Sequence, residues 1–359
     1  MSLPKILAIG RVFLDTPKYA VFKTKFDISF YTPVSKESLM TDLKARFQDI
    51  SAIWVAHGGL VCTTGNIIMD SSVISCFPAS LRVIALSSVG FDRYDIPQLQ
   101  KRGVIVTNTP AIASDSVADT ALLLALNAFR LYPIFERAVR ESGDTVMSRI
   151  NVSGDAFSNG YPEKPRVPEP FQLGDYVGGM NVYTPKGRTV GIVGLGAVGA
   201  ALARRLDAIG MKIRYTKRSK TDKIFPFPLT FHESFEDMVP HCDLLAFCCP
   251  LSPETRHMLN NESLKLCKRG VRVVNVGRGA CINEDDLVEG LESGQVGYAG
   301  LDVYEFEPRI HPGLLSRWNV CLLPHVGNAT VNNRMISAIN CMENIEDVMS
   351  GGRGLTVVK

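Results

Sequence analysis

Short apolar runs alternate with helix-like segments over nearly the whole chain. The runs "KILAIG", "SAIWVAHGG", "RVIALSSVG" and "VIVTNTP" each close on Gly, Ser, Thr, Asn or Pro. Buried parallel strands pass into loops in this way at their carboxyl ends. Leu99 to Gly103 has the pattern of a helix end capped by glycine. The segment "DSVADTALLLALNAFRLYPIFERAVR" opens on Ser114, Asp115 and Ser116, good capping types, and is apolar around most of its circumference. The pattern predicts a helix buried on more than one side, bridging two domains or packing on a second subunit, and kinked or ended at Pro133.

Periodicity fades between residues 141 and 187, where Gly, Pro, Ser and charged residues dominate and predict an irregular surface excursion. From Thr189 a second strand–helix series starts with "TVGIV" and continues through "KIRYT", "DLLAFCCP", "VRVVNVG", "GYAGLDVY" and "NVCLLPH". The final helix, "NNRMISAINCMENIEDVMSG", has room to fold back onto the N-terminal part. The expectation is an α/β protein of two doubly wound domains, the second inserted into the first.

Composition narrows the class. At 359 residues, two domains are expected. A net charge of +3 argues for neither a nucleic-acid surface nor a membrane-binding face. The nine cysteines are scattered without a C-x-x-C pair, as expected of buried thiols in a reducing compartment. "MSLPKILAIG" lacks the pattern of a signal peptide, and no apolar run reaches membrane-spanning length. A soluble cytoplasmic protein is expected, with neither nucleic acid nor membrane as a partner.

"TVGIVGLGAVGAALARRL" places G-x-G-x-x-G on Gly194, Gly196 and Gly199, after a strand and at the start of a helix. In that context Gly194 permits the turn, Gly196 lets a pyrophosphate approach, and Gly199 lets helix and strand pack. The phosphates meet amides at the helix N-terminus. A dinucleotide site normally has an acid about twenty residues on, bonded to the ribose hydroxyl. Here the strand ends on Lys217, Arg218 and Ser219. Positive charge and a hydroxyl there suit a 2′-phosphate, so NADP (NADPH) is expected over NAD. A solvated basic turn is the plain alternative.

Three later strands deliver polar residues directly after their carboxyl ends: Arg278, Asp302 with Glu307, and His325. Hydride transfer to a carbonyl carbon leaves negative charge on oxygen, and a histidine beside a carboxylate can donate the proton needed. An arginine can hold a substrate carboxylate and polarise the carbonyl. His57 rivals His325, and Glu305 rivals Glu307. Arg272 reads as an early, solvated residue, and His232, His241, His257 and His311 lie in polar or turn-like stretches. No metal site is expected.

The stretches "SSVGFDRYD", "GVIVTNTP", "SVADTALLLAL", "VGIVGLGAVG", "PLSPETRHML", "VNVGRGACIN", "GLDVYEFEP" and "LPHVGNAT" follow one another between about residues 50 and 330. Together they resemble the D-isomer-specific 2-hydroxyacid dehydrogenase family, and within it the glyoxylate/hydroxypyruvate reductases. The resemblance implies a flavodoxin-like substrate-binding domain from 1–110 and 331–359, with a Rossmann NAD(P)-binding domain, 111–330, inserted. It implies a catalytic triad of Arg278, Glu307 and His325. It also implies that amides near Val89 and Gly90 bind the substrate carboxylate and that Asp302 binds the nicotinamide carboxamide. Cofactor contacts fall on Thr109, Ala197, Val198, Cys249, Pro250, Val276, Gly277 and Gly327, and a homodimer is implied.

Three departures stand out. Residues 141–187 run about thirty longer than usual for the family. Cys248-Cys249-Pro250 replaces a small polar or histidine-type residue before the proline, and Asn328 replaces a serine or glycine. The function expected is NADPH-dependent reduction of small 2-oxo acids to D-2-hydroxy acids. A dinucleotide-sensing, corepressor-like module and a dehydrogenase of bulkier substrates are the alternatives.

Overall fold

The computed structural model describes residues 2–62, 65–155, 157–158, 161–165 and 172–358. The chain divides into two compact units, Met1–Ala113 with Asn328–Lys359, and Ser114–Gly327. Both crossings lie within three residues of the expected 110/111 and 330/331.

Unit 1 contains five parallel strands, β1 (Lys5–Ile9), β2 (Asp27–Tyr31), β3 (Ile50–Val55), β4 (Val83–Leu86) and β5 (Ile105–Thr107), in the order β2-β1-β3-β4-β5. Alternation along the strands divides the core. Leu7, Ile9, Ile53 and Ile84 pack on one face with Leu39, Leu43 and Ile74. Ile6, Ala8, Trp54 and Ala85 pack on the other with Phe22 and the helix Val331–Met349, through Ala338, Cys341, Met342 and Ile345. That helix starts on Thr330, whose side chain accepts from the Asn333 amide, and it does fold back onto the N-terminal strands. β2 was not anticipated. It is an edge strand with no fully buried residue, and Phe30 faces solvent.

Unit 2 holds seven parallel strands: β6 (Thr189–Val193), β7 (Lys212–Thr216), β8 (Leu229–His232), β9 (Leu244–Phe247), β10 (Val271–Asn275), β11 (Val296–Leu301) and β12 (Val320–Leu322). Their order is β8-β7-β6-β9-β10-β11-β12. The sheet reverses its winding beside β6, where such sheets open a crevice for ligands. One face packs on the helices Ser114–Arg130 and Ala197–Ala208, the other on Glu284–Ser293 and Phe235–Met238.

The expected long helix breaks at Leu131, which takes φ +54, and resumes at Tyr132–Ser142 with a bend of 69°. Pro133 lies in the first turn of the second helix, where a missing N–H costs nothing. The segment 141–187 is less irregular than expected. It contains the helix Thr145–Asn151, started by the Asp144 carboxylate on the amides of Val146 and Met147, and the small ladder Tyr176–Val177 with Met180–Asn181. Residues 156, 159–160 and 166–171 of that segment lie outside the described residues. Arg272 is also corrected. It lies within β10, is 7% exposed, and stacks on Phe129 rather than reaching solvent. Among the described residues, no single helix is long and apolar enough to cross a membrane.

Met342 is fully buried against the unit 1 sheet. Met342→Ala is expected to cost roughly 2–5 kcal/mol, read as a lower urea midpoint for the loss of unit 1 structure.

Candidate functional site

The carboxyl edge of the unit 2 sheet carries every cofactor and triad residue expected from 194 onward. β6 ends at Gly194, whose φ of +92 suits glycine alone and whose missing side chain admits Cys249, 2.8 Å from an added Cβ. Gly199 lies so close to Gly194 O that a Cβ would stand 2.2 Å away, which explains its need in the fold. Gly196 differs. An added Cβ would meet nothing within 4 Å, and no side chain caps the helix Ala197–Ala208 that it begins. The open side of that glycine and the uncapped amides at Ala197 and Val198 form the cradle a diphosphate requires.

The Gly194 amide donates to Thr216 O at 2.9 Å, fixing the end of β7 beside this loop. Lys217 follows, half-buried, then the exposed Arg218 and Ser219. Among the described residues, these three side chains have no hydrogen-bond or ion-pair partner. Arg218 does act through space on Glu254, whose carboxyl lies below its ordinary value because Ser252 and its own amide hydrogen-bond it, with Arg218 adding to the effect.

Arg278 is positioned by a residue the sequence reading passed over. Asn275, buried at the end of β10, accepts from the Gly277 amide at 3.0 Å and donates to Arg278 O at 2.9 Å. Its type and place, an Asn just before a glycine turn, were the available signal. The turn is pressed from both sides. A Cβ on Gly277 would stand 2.7 Å from Cys249 O, and one on Gly279 would stand 1.9 Å from the Tyr304 carbonyl carbon. Val276 is buried and donates to Phe247 O. Pro250 is exposed. The Cys249 thiol turns to Cys281 at 3.7 Å, leaving its backbone beside the glycine loop.

Asp302 follows β11 and is buried. Burial pushes its carboxyl up from the ordinary value, while the amides it receives pull it back. Those amides belong to Val326 and Gly327, each at 2.8 Å on a separate oxygen. They hold the loop in which His325 takes φ +55. His325 Nδ1 lies 2.9 and 3.0 Å from the two oxygens of Glu307. A carboxylate only accepts, so Nδ1 carries the proton of this bond and Nε2 is the nitrogen available for exchange. Glu307 also accepts from the Tyr304 amide at 3.2 Å.

The rivals are placed elsewhere. Glu305, with its side chain 5% exposed, takes His257 Nε2 at 2.6 Å and Arg256 at 3.2 Å. Its amide donates to the buried Glu284 at 2.9 Å. This second histidine–carboxylate pair braces the loop that ends in Glu307, and sequence reading placed His257 merely in a turn. His57 lies exposed in unit 1. Also in unit 1, the turn after β4 has its carbonyls pinned: Asn108 donates to Val89 O at 2.7 Å and Ser88 to Gly90 O at 2.8 Å. The Val89 and Gly90 amides have no partner among the described residues. Thr109 is buried, with its hydroxyl on Leu86 O, and it braces this turn.

The family model described as D-isomer specific 2-hydroxyacid dehydrogenase, NAD binding domain matches residues 173–327. A hydroxyphenylpyruvate reductase of Plectranthus scutellarioides is 34% identical over 87% of this chain and 88% of its own length. The chain belongs to the D-isomer-specific 2-hydroxyacid dehydrogenase family. Members of this family are oxidoreductases acting on 2-oxo acids. Among solved structures, an NADPH-dependent glyoxylate/hydroxypyruvate reductase from Sinorhizobium meliloti, in complex with NADP and malonate, shares 30% identity. It covers 99% of this chain and 97% of its own, with a TM-score of 0.77. A D-mandelate dehydrogenase of Rhodotorula graminis, 27% identical, covers 100% and 98% with a TM-score of 0.81.

For this dehydrogenase, the glycines separate fold from binding. Gly196→Ala meets open space and should leave thermal stability within about 0.5 kcal/mol while weakening dinucleotide binding in a fluorescence titration. Gly199→Ala, forced against Gly194 O, should lower the melting temperature itself.

Proposed function

We propose that this protein is an NADPH-dependent reductase of small 2-oxo acids, of the glyoxylate and hydroxypyruvate type, yielding D-2-hydroxy acids. The observation that carries the reading is the His325–Glu307 pair at 2.9 Å, on the same sheet edge as the Arg278 turn and the uncapped glycine loop. Bound at that loop, NADPH supplies the hydride. Glu307 fixes the imidazole so that Nε2 presents a proton to the oxygen on which negative charge develops. Arg278 holds the substrate carboxylate or polarises the carbonyl, stabilising the same charge. In unit 1, the Val89 and Gly90 amides have the chemistry to receive a carboxylate. Asp302 holds the histidine loop through both oxygens, and the lone pairs that remain can accept the nicotinamide carboxamide.

Support for NADPH comes from Lys217, Arg218 and Ser219, three side chains at the end of β7 free to take a 2′-phosphate. The Sinorhizobium relative is NADPH-dependent and was solved with NADP. A cytoplasmic homodimer belongs to the same reading, with unit 1 assigned to substrate binding. A bulkier 2-oxo acid is the second reading, favoured by the relatives named for hydroxyphenylpyruvate and mandelate.

NADPH oxidation followed at its absorbance band, with glyoxylate, hydroxypyruvate, 4-hydroxyphenylpyruvate and phenylglyoxylate, tests the assignment. Turnover highest on the first two is expected. Preference for the aromatic acids would shift it to the second reading. No turnover on any, in folded protein that binds NADPH, would overturn it. The variant carrying Lys217→Asp and Arg218→Ala should lose about tenfold or more of its NADPH-over-NADH preference in kcat/KM, the equivalent of a lost charge-assisted hydrogen bond. An unchanged preference would mean the basic turn is only solvated.

A further inference from the structure

At the amino ends of the unit 2 strands, the opposite edge from the glycine loop, lies a cavity of about 380 Å³. Its charged lining consists of Arg188, Asp243, Lys268, Arg269 and Arg272. Four cations thus face one carboxylate, and that carboxylate is already engaged. Asp243 accepts from the Thr189 amide at 2.8 Å and pairs with Lys268 at 3.0 Å. Arg269 donates to Ser293 O at 2.8 Å.

The two remaining guanidinium groups form no ion pair among the described residues. Arg188 lies over the Tyr183 ring at 4.3 Å and, among the described residues, makes no side-chain hydrogen bond or ion pair. Arg272 approaches the same ring at 5.7 Å and covers Phe129 at 4.4 Å. It donates through Nε to Ala128 O at 2.8 Å and through Nη1, weakly, to Gly270 O at 3.4 Å, leaving Nη2 without a partner among the described residues. Burial and the like charge of Arg188 pull its pKa down to about 10, so it remains a cation at neutral pH. Arginine this deeply buried is ordinarily matched by an acid. Here two like charges share one aromatic ring at a cavity whose single carboxylate, Asp243, acts on them only through space while paired with Lys268.

We propose that this cavity binds a phosphate group, free or at the end of a small organic molecule, through Arg188 and Arg272 with Lys268 at its side. Guanidinium forks take phosphate oxygens in pairs, and a doubly charged ligand best matches the excess of cations. The cavity is roomier than a lone phosphate needs, which leaves space for an ester substituent. The site is independent of the substrate and cofactor assigned above.

The test uses the full-length protein saturated with NADP, so that the cofactor site cannot take the probe. Inorganic phosphate and glycerol 3-phosphate are titrated separately by calorimetry at constant ionic strength. One saturable site per chain is expected, weakened about tenfold or more in Arg188→Ala. Arg188 contacts only a ring face, so the variant's melting temperature without phosphate should match the parent's. Tighter binding of the ester than of inorganic phosphate would identify an organic phosphate as the source, and the reverse a free one. Absence of saturable binding, or equal affinity in Arg188→Ala and Lys268→Ala, overturns the proposal. So does a smaller sedimentation coefficient for Arg188→Ala without phosphate binding in the parent, which would assign the cavity to a carboxylate from a second copy of the chain.

Discussion

One buried carboxylate receives two consecutive backbone amides, and the placement of the histidine depends on that bond pair. His325 sits in the left-handed region, at a cost of roughly 1–2 kcal/mol for a residue with a side chain. Asp302 holds the next two residues at 2.8 Å each. A hydrogen bond to a charged group contributes about 1.5–3 kcal/mol, so two of them outweigh the conformational cost. The same bonds compensate the carboxylate for its burial, which otherwise favours the neutral acid. Gly327 is packed against this carboxylate, 2.9 Å from where a Cβ would be, so the loop has no room to relax away.

The parallel sheet supplies the rest by register. β9, β10 and β11 are neighbours, and each ends in a loop that braces the next. Cys249 after β9 packs on Gly194 and on Gly277, while Gly279 packs on Tyr304. Asp302 N donates to Asn275 O, linking the arginine turn to the histidine clamp. Glycine loop, arginine turn and histidine–glutamate pair are therefore parts of one packed layer. The Glu305–His257 contact and the Glu284 carboxylate tie the outer side of that layer. A substitution at any of these glycines displaces more than its own loop.

Much of this was legible along the chain, because the governing signals are local. Strands buried on both faces announce themselves as apolar runs, and Gly194, Gly196 and Gly199 declare a turn by their spacing. Pro308 directly after Glu307 favours it over Glu305, whereas His57 also ends a strand and stays a rival of His325 until the fold separates the two. Two of the failures share a cause in long-range pairing. Arg272 looked solvated because Phe129, which covers its guanidinium, is far away in sequence. His257 looked like a turn residue because its carboxylate partner lies 48 positions on. β2 escaped notice because an exposed edge strand has no apolar face to show. Asp302 is expected as a ligand contact from the resemblance alone, and its hold on the amides of Val326 and Gly327 is a second role that only the fold displays.

The central claim is that Glu307 and His325 act as a single proton-donating unit rather than as two independent helpers. A double-mutant cycle on kcat/KM for NADPH-dependent reduction of glyoxylate, with Glu307→Gln, His325→Gln and the two combined, tests it most directly. Side chains working as one unit give a double variant no slower than the slower single variant. Losses that multiply, each residue contributing its full factor in the absence of the other, would contradict the account.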